Sequence, residues 1–302
     1  MFRGLVLHSM GGKRSVGNLS SPPMVPTEKC VSFSHSPRSF LPCSTTPQDS
    51  FLLVDALAEE WSSTLKHRPP KVTLEVGCGT GYVIASAAGL AKVSISTHHI
   101  PPTDCPYETD TFFFIAEEHG NLNLIDSLRD DSDGRGTRFF ATDINPDALV
   151  CCASTWGNHG FTGESQFQIK NYDGLDVIHC GDSFSAVQCD LVGPLQLALT
   201  GSVDLLLFNP PYVLTPSDEI GKGDIASAWA GGVDGREVID RLLPKVFDLL
   251  APGGTFMLIL LEQNKPKEVA AILTQYGLRC EIVATKSADE ERLHVLRARK
   301  PL

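Results

Sequence analysis

The residues best suited to chemistry are Asn209-Pro210-Pro211-Tyr212, at the end of the apolar run Asp204-Leu205-Leu206-Leu207-Phe208. A run of that length reads as a buried strand, and two consecutive prolines end it because neither can donate to a sheet ladder. The turn thus sits at a strand end, where open α/β sheets hold their ligands. Asn209 offers an amide oxygen, and the Pro210 and Pro211 carbonyls are held by rigid rings. Such acceptors can grip both hydrogens of a planar NH2 group. When that nitrogen takes on an electrophilic carbon its N–H groups become stronger donors, so fixed acceptors favour the transition state over the ground state. The ring of Tyr212 can stack on a flat substrate group. The competing reading of the tetrapeptide alone is a plain strand-end turn with a packed tyrosine.

The elements that must position this turn follow along the chain. A helix start is signalled at Thr46-Pro47-Gln48-Asp49-Ser50, with Phe51, Leu52, Val54, Leu57, Ala58 and Trp61 on helical spacing. Lys71–Val76 reads as the first central strand and runs into Gly77-Cys78-Gly79-Thr80-Gly81, a turn whose glycines allow a sharp bend and close ligand approach before a helix at Tyr82–Leu90. Arg138–Asp143 is a second strand ending in an acid, and Ala186–Asp190 a third. A carboxylate at the second strand end can accept both ribose hydroxyls, and one at the third an adenine amino hydrogen. The G-x-G-x-G spacing differs from the G-x-G-x-x-G pyrophosphate cradle, which favours S-adenosylmethionine over NAD. Taken singly, Asp143 could also serve only to cap the helix that begins at Pro146.

Arg236–Leu250 is an amphipathic helix with Val238, Leu242, Val246 and Leu249 facing inward, broken by Ala251-Pro252-Gly253-Gly254. Thr255–Leu261 reads as a buried strand and Pro266–Tyr276 as a helix closed by Gly277. Leu278–Ala284 pairs with Leu293–Arg299 as a final hairpin. Alternating strands and helices with a terminal hairpin make an α/β class of seven strands.

The chain has 302 residues, 42% hydrophobic and 20% charged, enough for one large core. Residues 1–46 are rich in Ser, Pro and Gly and carry five basic residues against one acid, leaving 20 basic and 35 acidic residues in the remainder. A net charge of −11 argues against holding nucleic acid by surface electrostatics. No apolar run approaches the roughly 20 residues of a membrane span. Nine cysteines without a C-x-x-C pair, and His98-His99 without a third ligand at useful spacing, lead us to expect no metal site and reduced thiols. The tail, 1–46, reads as disordered or as an incorrectly assigned first exon, with a mitochondrial transit peptide as the less favoured alternative. The domain is then 47–302, with insertions at about 94–136 and 160–183 read as surface excursions; the first holds the apolar Phe112-Phe113-Phe114-Ile115.

The stretches 74–81 (LEVGCGTG), 141–148 (ATDINPDA), 189–191 (CDL) and 208–213 (FNPPYV) together resemble the class I S-adenosylmethionine methyltransferases of the HemK family, which methylate the glutamine side-chain amide of translation release factors. Residues 49–57 (DSFLLVDAL) and 228–237 (AWAGGVDGRE) resemble the eukaryotic cytosolic branch. The resemblance implies a Rossmann-like sheet of order 3-2-1-4-5-7-6 with strand 7 antiparallel. It implies cofactor contacts from Ser50, Glu75, Gly77, Gly79, Gly81, Asp143, Ile144, Asp190, Leu191 and Asn209, with Asn209, Pro210, Pro211 and Tyr212 at the chemistry. One departure lies in the lead-in, Ser44-Thr45-Thr46-Pro47-Gln48-Asp49-Ser50, where the family has Tyr-Glu-Pro-x-Glu-Asp-Ser/Thr. The substrate implied is the glutamine of the Gly-Gly-Gln loop of the class I release factor. Adenine N6 methylation of nucleic acid, or methylation of another side chain such as lysine, are the alternatives. The implied location is cytoplasmic, with a nuclear pool also compatible.

In that strand order the third strand, near Phe184–Asp190, lies at the sheet edge, and Phe184, Ala186, Val187 and Cys189 are too apolar for a bare edge. The resemblance implies a small zinc-binding activator protein that adds a strand there. The competing expectation is that the second insertion folds back over the edge.

Overall fold

The computed structural model describes residues 48–96, 137–161, 167–172, 175–181, 183–221, 228–288 and 291–302. The tail, His98-His99, the Phe112–Ile115 cluster and most of the first insertion lie outside these. The strands are β1 (Val72–Val76), β2 (Arg138–Asp143), β3 (Gln168–Tyr172), β4 (Leu175–Cys180), β5 (Phe184–Gln188), β6 (Val203–Phe208), β7 (Leu250–Leu261), β8 (Arg279–Ala288) and β9 (Glu291–Arg299). The helices are α1 (Gln48–Ser63), α2 (Tyr82–Ser96), α3 (Pro146–Asn158), α4 (Leu195–Ala198), α5 (Glu237–Leu249) and α6 (Pro266–Gln275). None of the helices among the described residues is long and apolar enough to cross a membrane.

The strands form one sheet of order β3-β4-β5-β2-β1-β6-β7-β9-β8. From β5 to β8 this is the expected class I order. β5, β2, β1, β6 and β7 are mutually parallel, and β9 runs antiparallel between β7 and β8. Alternation along the strands sends side chains to two faces. Val72, Leu74 and Val76 of β1, Leu206 and Phe208 of β6 and Phe256, Leu258 and Leu260 of β7 pack with Ile239, Leu242 and Val246 of α5 in one continuous core. Glu75 of β1 turns to the other face, where it meets the start of α2. The Asp204 carboxylate ties β6 to the start of β1 by accepting from the Lys71 and Val72 amides at 2.9 and 3.1 Å.

Three expectations are corrected here. The second insertion is not a surface excursion, since its residues 168–172 and 175–180 form the antiparallel pair β3–β4, which joins the sheet. The third strand, β5, is therefore not an edge. It pairs in parallel with β2 on one side and antiparallel with β4 on the other, with Val177 opposite Val187, Ile178 opposite Ala186 and Cys180 opposite Phe184. The physical reason is the apolar character noted in the sequence. Phe184, Ala186 and Val187 are all buried, and the chain's own β4 supplies both the backbone partners and the apolar Val177, Ile178 and Cys180. β7 is also longer than expected, because Ala251–Gly254 is taken up as an irregularity in the strand pairing and does not end it.

Candidate active site

The candidate site lies at the carboxyl ends of β2, β1 and β6, the rim where open α/β sheets hold their ligands. After β1, Gly77, Gly79 and Gly81 all take left-handed backbone angles (φ 65°, 48° and 75°), a region open to glycine without strain. Gly81 is further required by space, since a Cβ there would stand 2.6 Å from Cys152 Sγ and 2.7 Å from its Cα on α3. At Gly79 a Cβ would meet nothing within 4 Å, so that side of the loop faces open space.

Asp143, the last residue of β2, couples this loop to the next one. Its Oδ2 accepts from the Gly79 amide at 3.0 Å and its Oδ1 from the Asn145 amide at 2.9 Å. Burial raises its pKa against the opposing pull of these backbone donors. The helix cap is supplied by Asn145, which accepts from Asp147 N at 3.0 Å, so Asp143 does not serve α3 directly. Glu75 is buried, which pushes its pKa well above the ordinary range, and its Oε2 accepts from the Ile84 amide in the first turn of α2 at 2.9 Å. The positive end of that helix is the favourable place for a buried carboxylate. Ile144 follows Asp143 on the rim, and its carbonyl accepts from Gln188 Nε2 of β5 at 3.3 Å.

Asp190 lies two residues past the end of β5, with a half-exposed carboxylate paired to Arg241 of α5. Leu191 beside it is buried and left-handed (φ 53°), a conformation a non-glycine residue keeps only where its surroundings impose it.

Asn209 follows β6 directly. Its Nδ2 donates to Ser50 Oγ at 3.0 Å, and its Oδ1 is buried without a hydrogen-bond partner. Such an orphan acceptor costs about 1–3 kcal/mol and calls for a donor from outside the chain. Pro210 is buried, whereas the Pro211 carbonyl lies against Gly231, where a Cβ would come within 2.7 Å of it. Tyr212 Oη donates to Asp49 Oδ2 at 2.6 Å, and burial followed by the nearby Asp49 charge raises the phenol pKa strongly. Asp49 and Ser50 belong to the first turn of α1, which Phe51 anchors edge-on against Tyr82 at the start of α2 (5.2 Å between centroids, 82°).

The structure thus brings Ser50, Asn209 and Tyr212 into one contact network and joins Gly79 to Asp143. Asp190 is engaged with Arg241 on the outer rim. Sequence reasoning singled out Ser50 but not its neighbour Asp49, whose burial beside Tyr212 only the fold reveals. Arg241 and Asn264, which hold the surroundings of Asp190 and Tyr212, carried no signal in the sequence.

The residues after the turn form a strap. Val213 bridges to Ala230, with Val213 N donating to Trp229 O at 3.0 Å and Gly231 N to Val213 O at 2.8 Å. Residues 228–237, noted above for their resemblance to the eukaryotic branch, are thereby tied by backbone bonds to the residue that follows the Asn209–Tyr212 turn.

No protein-family model matches the chain. It is similar to the human methyltransferase HEMK2, 32% identical over 254 residues that span 84% of this chain and 87% of the relative. Over 116 residues it is 37% identical to the "eRF1 methyltransferase catalytic subunit mtq2" of Schizosaccharomyces pombe, covering 38% of this chain and 49% of that protein. A "putative protein N5-glutamine methyltransferase" of Methanocaldococcus jannaschii is 35% identical over 100 residues, 33% of this chain and 51% of the relative. With that extent of similarity to HEMK2 and a glycine loop, strand-end acids and Asn-Pro-Pro-Tyr turn on one rim of the sheet, the chain belongs to the HemK family of methyltransferases.

Proposed function

We propose that the chain transfers a methyl group from S-adenosylmethionine to the side-chain amide nitrogen of the Gly-Gly-Gln glutamine in a class I translation release factor. The observation that carries this is the Asn209 amide. Ser50 occupies its donor end, and its acceptor end is buried and unpaired. An acceptor in that state suits a substrate N–H, and with the adjacent Pro210 carbonyl it can hold the two hydrogens of a primary amide. The yeast and archaeal relatives, described as an eRF1 methyltransferase subunit and a protein N5-glutamine methyltransferase, support glutamine as the acceptor.

The residues present fit the donor. Open space at Gly79, the partly buried Asp143 and Ile144 past the second strand and the constrained Leu191 past the third stand at neighbouring strand ends of the sheet, with the buried Glu75 in the first strand. Asp143 would hold the ribose hydroxyls, each carboxylate oxygen keeping a lone pair beyond its backbone bond. Asp190, beside Leu191, would hold the adenine amino group. S-adenosylmethionine supplies an electrophilic methyl on a sulfonium whose departure leaves a neutral thioether, so no acid is needed at the leaving group. The chain's task is then alignment and charge stabilisation: Asn209 Oδ1 and the Pro210 carbonyl meet the N–H groups as they become more acidic, and the proton then passes to water.

The yeast relative is described as a catalytic subunit, which supports a companion subunit for this chain as well. By resemblance it would be a small zinc-binding activator, bound elsewhere than β5. The reading places the enzyme in the cytoplasm, where release factors act.

The test is transfer of labelled methyl from S-adenosylmethionine to purified release factor. Label should enter the wild-type factor and not one whose Gly-Gly-Gln glutamine is replaced by alanine, and oligonucleotides should remain unlabelled. Asn209→Ala should lower the rate about 10²–10³-fold, the loss typical of one preorganised electrostatic contact, with little change in cofactor affinity. Label that ignores the glutamine, or full turnover by Asn209→Ala, would overturn the reading.

A further inference from the structure

The Asn209–Tyr212 turn has an unusual structural problem. Pro210 and Pro211 have no N–H, so the turn cannot hold itself in place with backbone donors. Its geometry must be imposed from outside. Two of the tethers act on side chains, Ser50 on the Asn209 amide and Asp49 on the Tyr212 hydroxyl. The main chain is held by a residue that plays no part in the mechanism above.

That residue is Asn264, fully buried at the end of the short 3-10 turn Glu262–Asn264 that follows β7. Its Oδ1 accepts from the Leu261 amide at 2.6 Å, which fixes the side chain to the last residue of β7. Its Nδ2 donates at 2.9 Å to the carbonyl of Tyr212 and at 2.9 Å to that of Asp234, with the Gly235 carbonyl farther off at 3.4 Å. A primary amide has two N–H groups, and two good acceptors use both. Strap and turn are close here: a Cβ on Gly235 would lie 1.9 Å from the Tyr212 carbonyl oxygen. Three carbonyls therefore converge on one buried point, and without a donor among them they would be mutually repulsive and unpaired. The next residue, Lys265, is held left-handed (φ 56°), as expected where the surroundings dictate a strained backbone.

The anchor at the other end is rigid. Phe256 to Leu260 of β7 are wholly buried; Phe256 to Leu258 are paired on both sides, to β6 and to β9, and the ladder with β9 continues to Leu261. We propose that Asn264 is a positioning residue for methyl transfer: its amide locks the Tyr212 main chain to β7, so that Asn209 and the Pro210 carbonyl stay in register with the substrate amide. This rests on the proposed function of the Asn209 turn.

The test compares Asn264→Asp and Asn264→Ala with wild type in release-factor methylation, with kcat expressed per folded molecule and cofactor affinity measured separately by calorimetry. Asn264→Asp keeps the acceptor for Leu261 but turns a fourth oxygen toward the converging carbonyls. If Asn264 only capped the end of β7, that substitution would be tolerated. As a positioning residue its loss should lower kcat on the order of 10-fold to 100-fold, the scale of a misplacement of about 1 Å at the chemistry, while cofactor Kd and the KM for release factor stay within about threefold. Asn264→Ala should show the same split. A wild-type kcat per folded molecule in either variant, even one with a reduced folded fraction, would overturn the proposal. Failure of the wild-type enzyme to label the release factor would instead overturn the proposed function.

Discussion

The Asp49–Tyr212 pair offers a sharp test of how the first turn of α1 supports the Asn209–Tyr212 turn. Tyr212→Phe keeps the ring and removes only the hydroxyl that donates to Asp49 Oδ2 at 2.6 Å. Asp49 is buried (5% exposed), and its other oxygen stays engaged with the Ser50 amide at 2.6 Å. The variant therefore leaves a buried carboxylate oxygen without its donor. Hydrogen bonds to charged groups contribute about 1.5–3 kcal/mol, and the buried acceptor places Tyr212→Phe in the upper half of that range. Asp49→Ala should cost less at Tyr212, because the neutral phenol of this half-buried residue is cheaper to leave unpaired than a buried carboxylate, and a coupling of about 1–2 kcal/mol should remain in a double-mutant cycle. For a domain of this size about 2–4 °C accompanies each kcal/mol, so Tyr212→Phe should lower Tm by roughly 4–12 °C. The phenol's raised pKa keeps it a donor throughout the neutral range. The tyrosine stays protonated in the fold after it would ionise in the unfolded chain, so stability should decline only as pH rises past the ordinary tyrosine value of about 10. Urea titrations of the four proteins of the cycle give the coupling directly. An interaction energy below about 0.3 kcal/mol, within ordinary additivity, would refute the argument that α1 is pinned through this bond.

Acidification should weaken cofactor binding at a higher pH than an ordinary aspartate would allow, because burial raises the Asp143 pKa and its charged form is the better ribose acceptor. For the ligand-free fold the sign is opposite, since protonating a carboxyl whose folded pKa is raised relieves desolvation; a calorimetric pH series in which Asp143→Asn shows the same slope as wild type would remove Asp143 from the effect. Val187→Pro should destabilise the chain with or without any companion protein, because β5 has a strand on each side and proline orphans a ladder carbonyl at about 1–3 kcal/mol. A Val187→Pro variant that unfolds at the wild-type urea concentration would show that β4 does not pair there.

Local chemistry made much of the framework legible in the sequence. The apolar run Leu205–Phe208 stopped by two prolines could only be a buried strand ending at Asn209. The Gly77, Gly79 and Gly81 spacing marked a turn that only glycine can make, and the acid closing Arg138–Asp143 marked the second rim position. The α5 periodicity, with Val238, Leu242, Val246 and Leu249 inward, depended on nothing beyond the helix itself. These are contacts between near neighbours in the chain, where residue type and spacing limit the backbone to few choices. What remained for the tertiary structure were pairings between distant segments. The β3–β4 pair is one of these, because its strand character shows only once β5 presents an unsatisfied edge for it to join. Asp49 is 163 residues from Tyr212, and Asn264 is 52 residues from it. An aspartate at a helix start or an asparagine in a turn is ordinary by itself, since either can be satisfied by its own backbone or by water. Only when the sheet brings α1, β6 and β7 to one rim do these side chains lose that water and acquire the Tyr212 hydroxyl and carbonyl as partners.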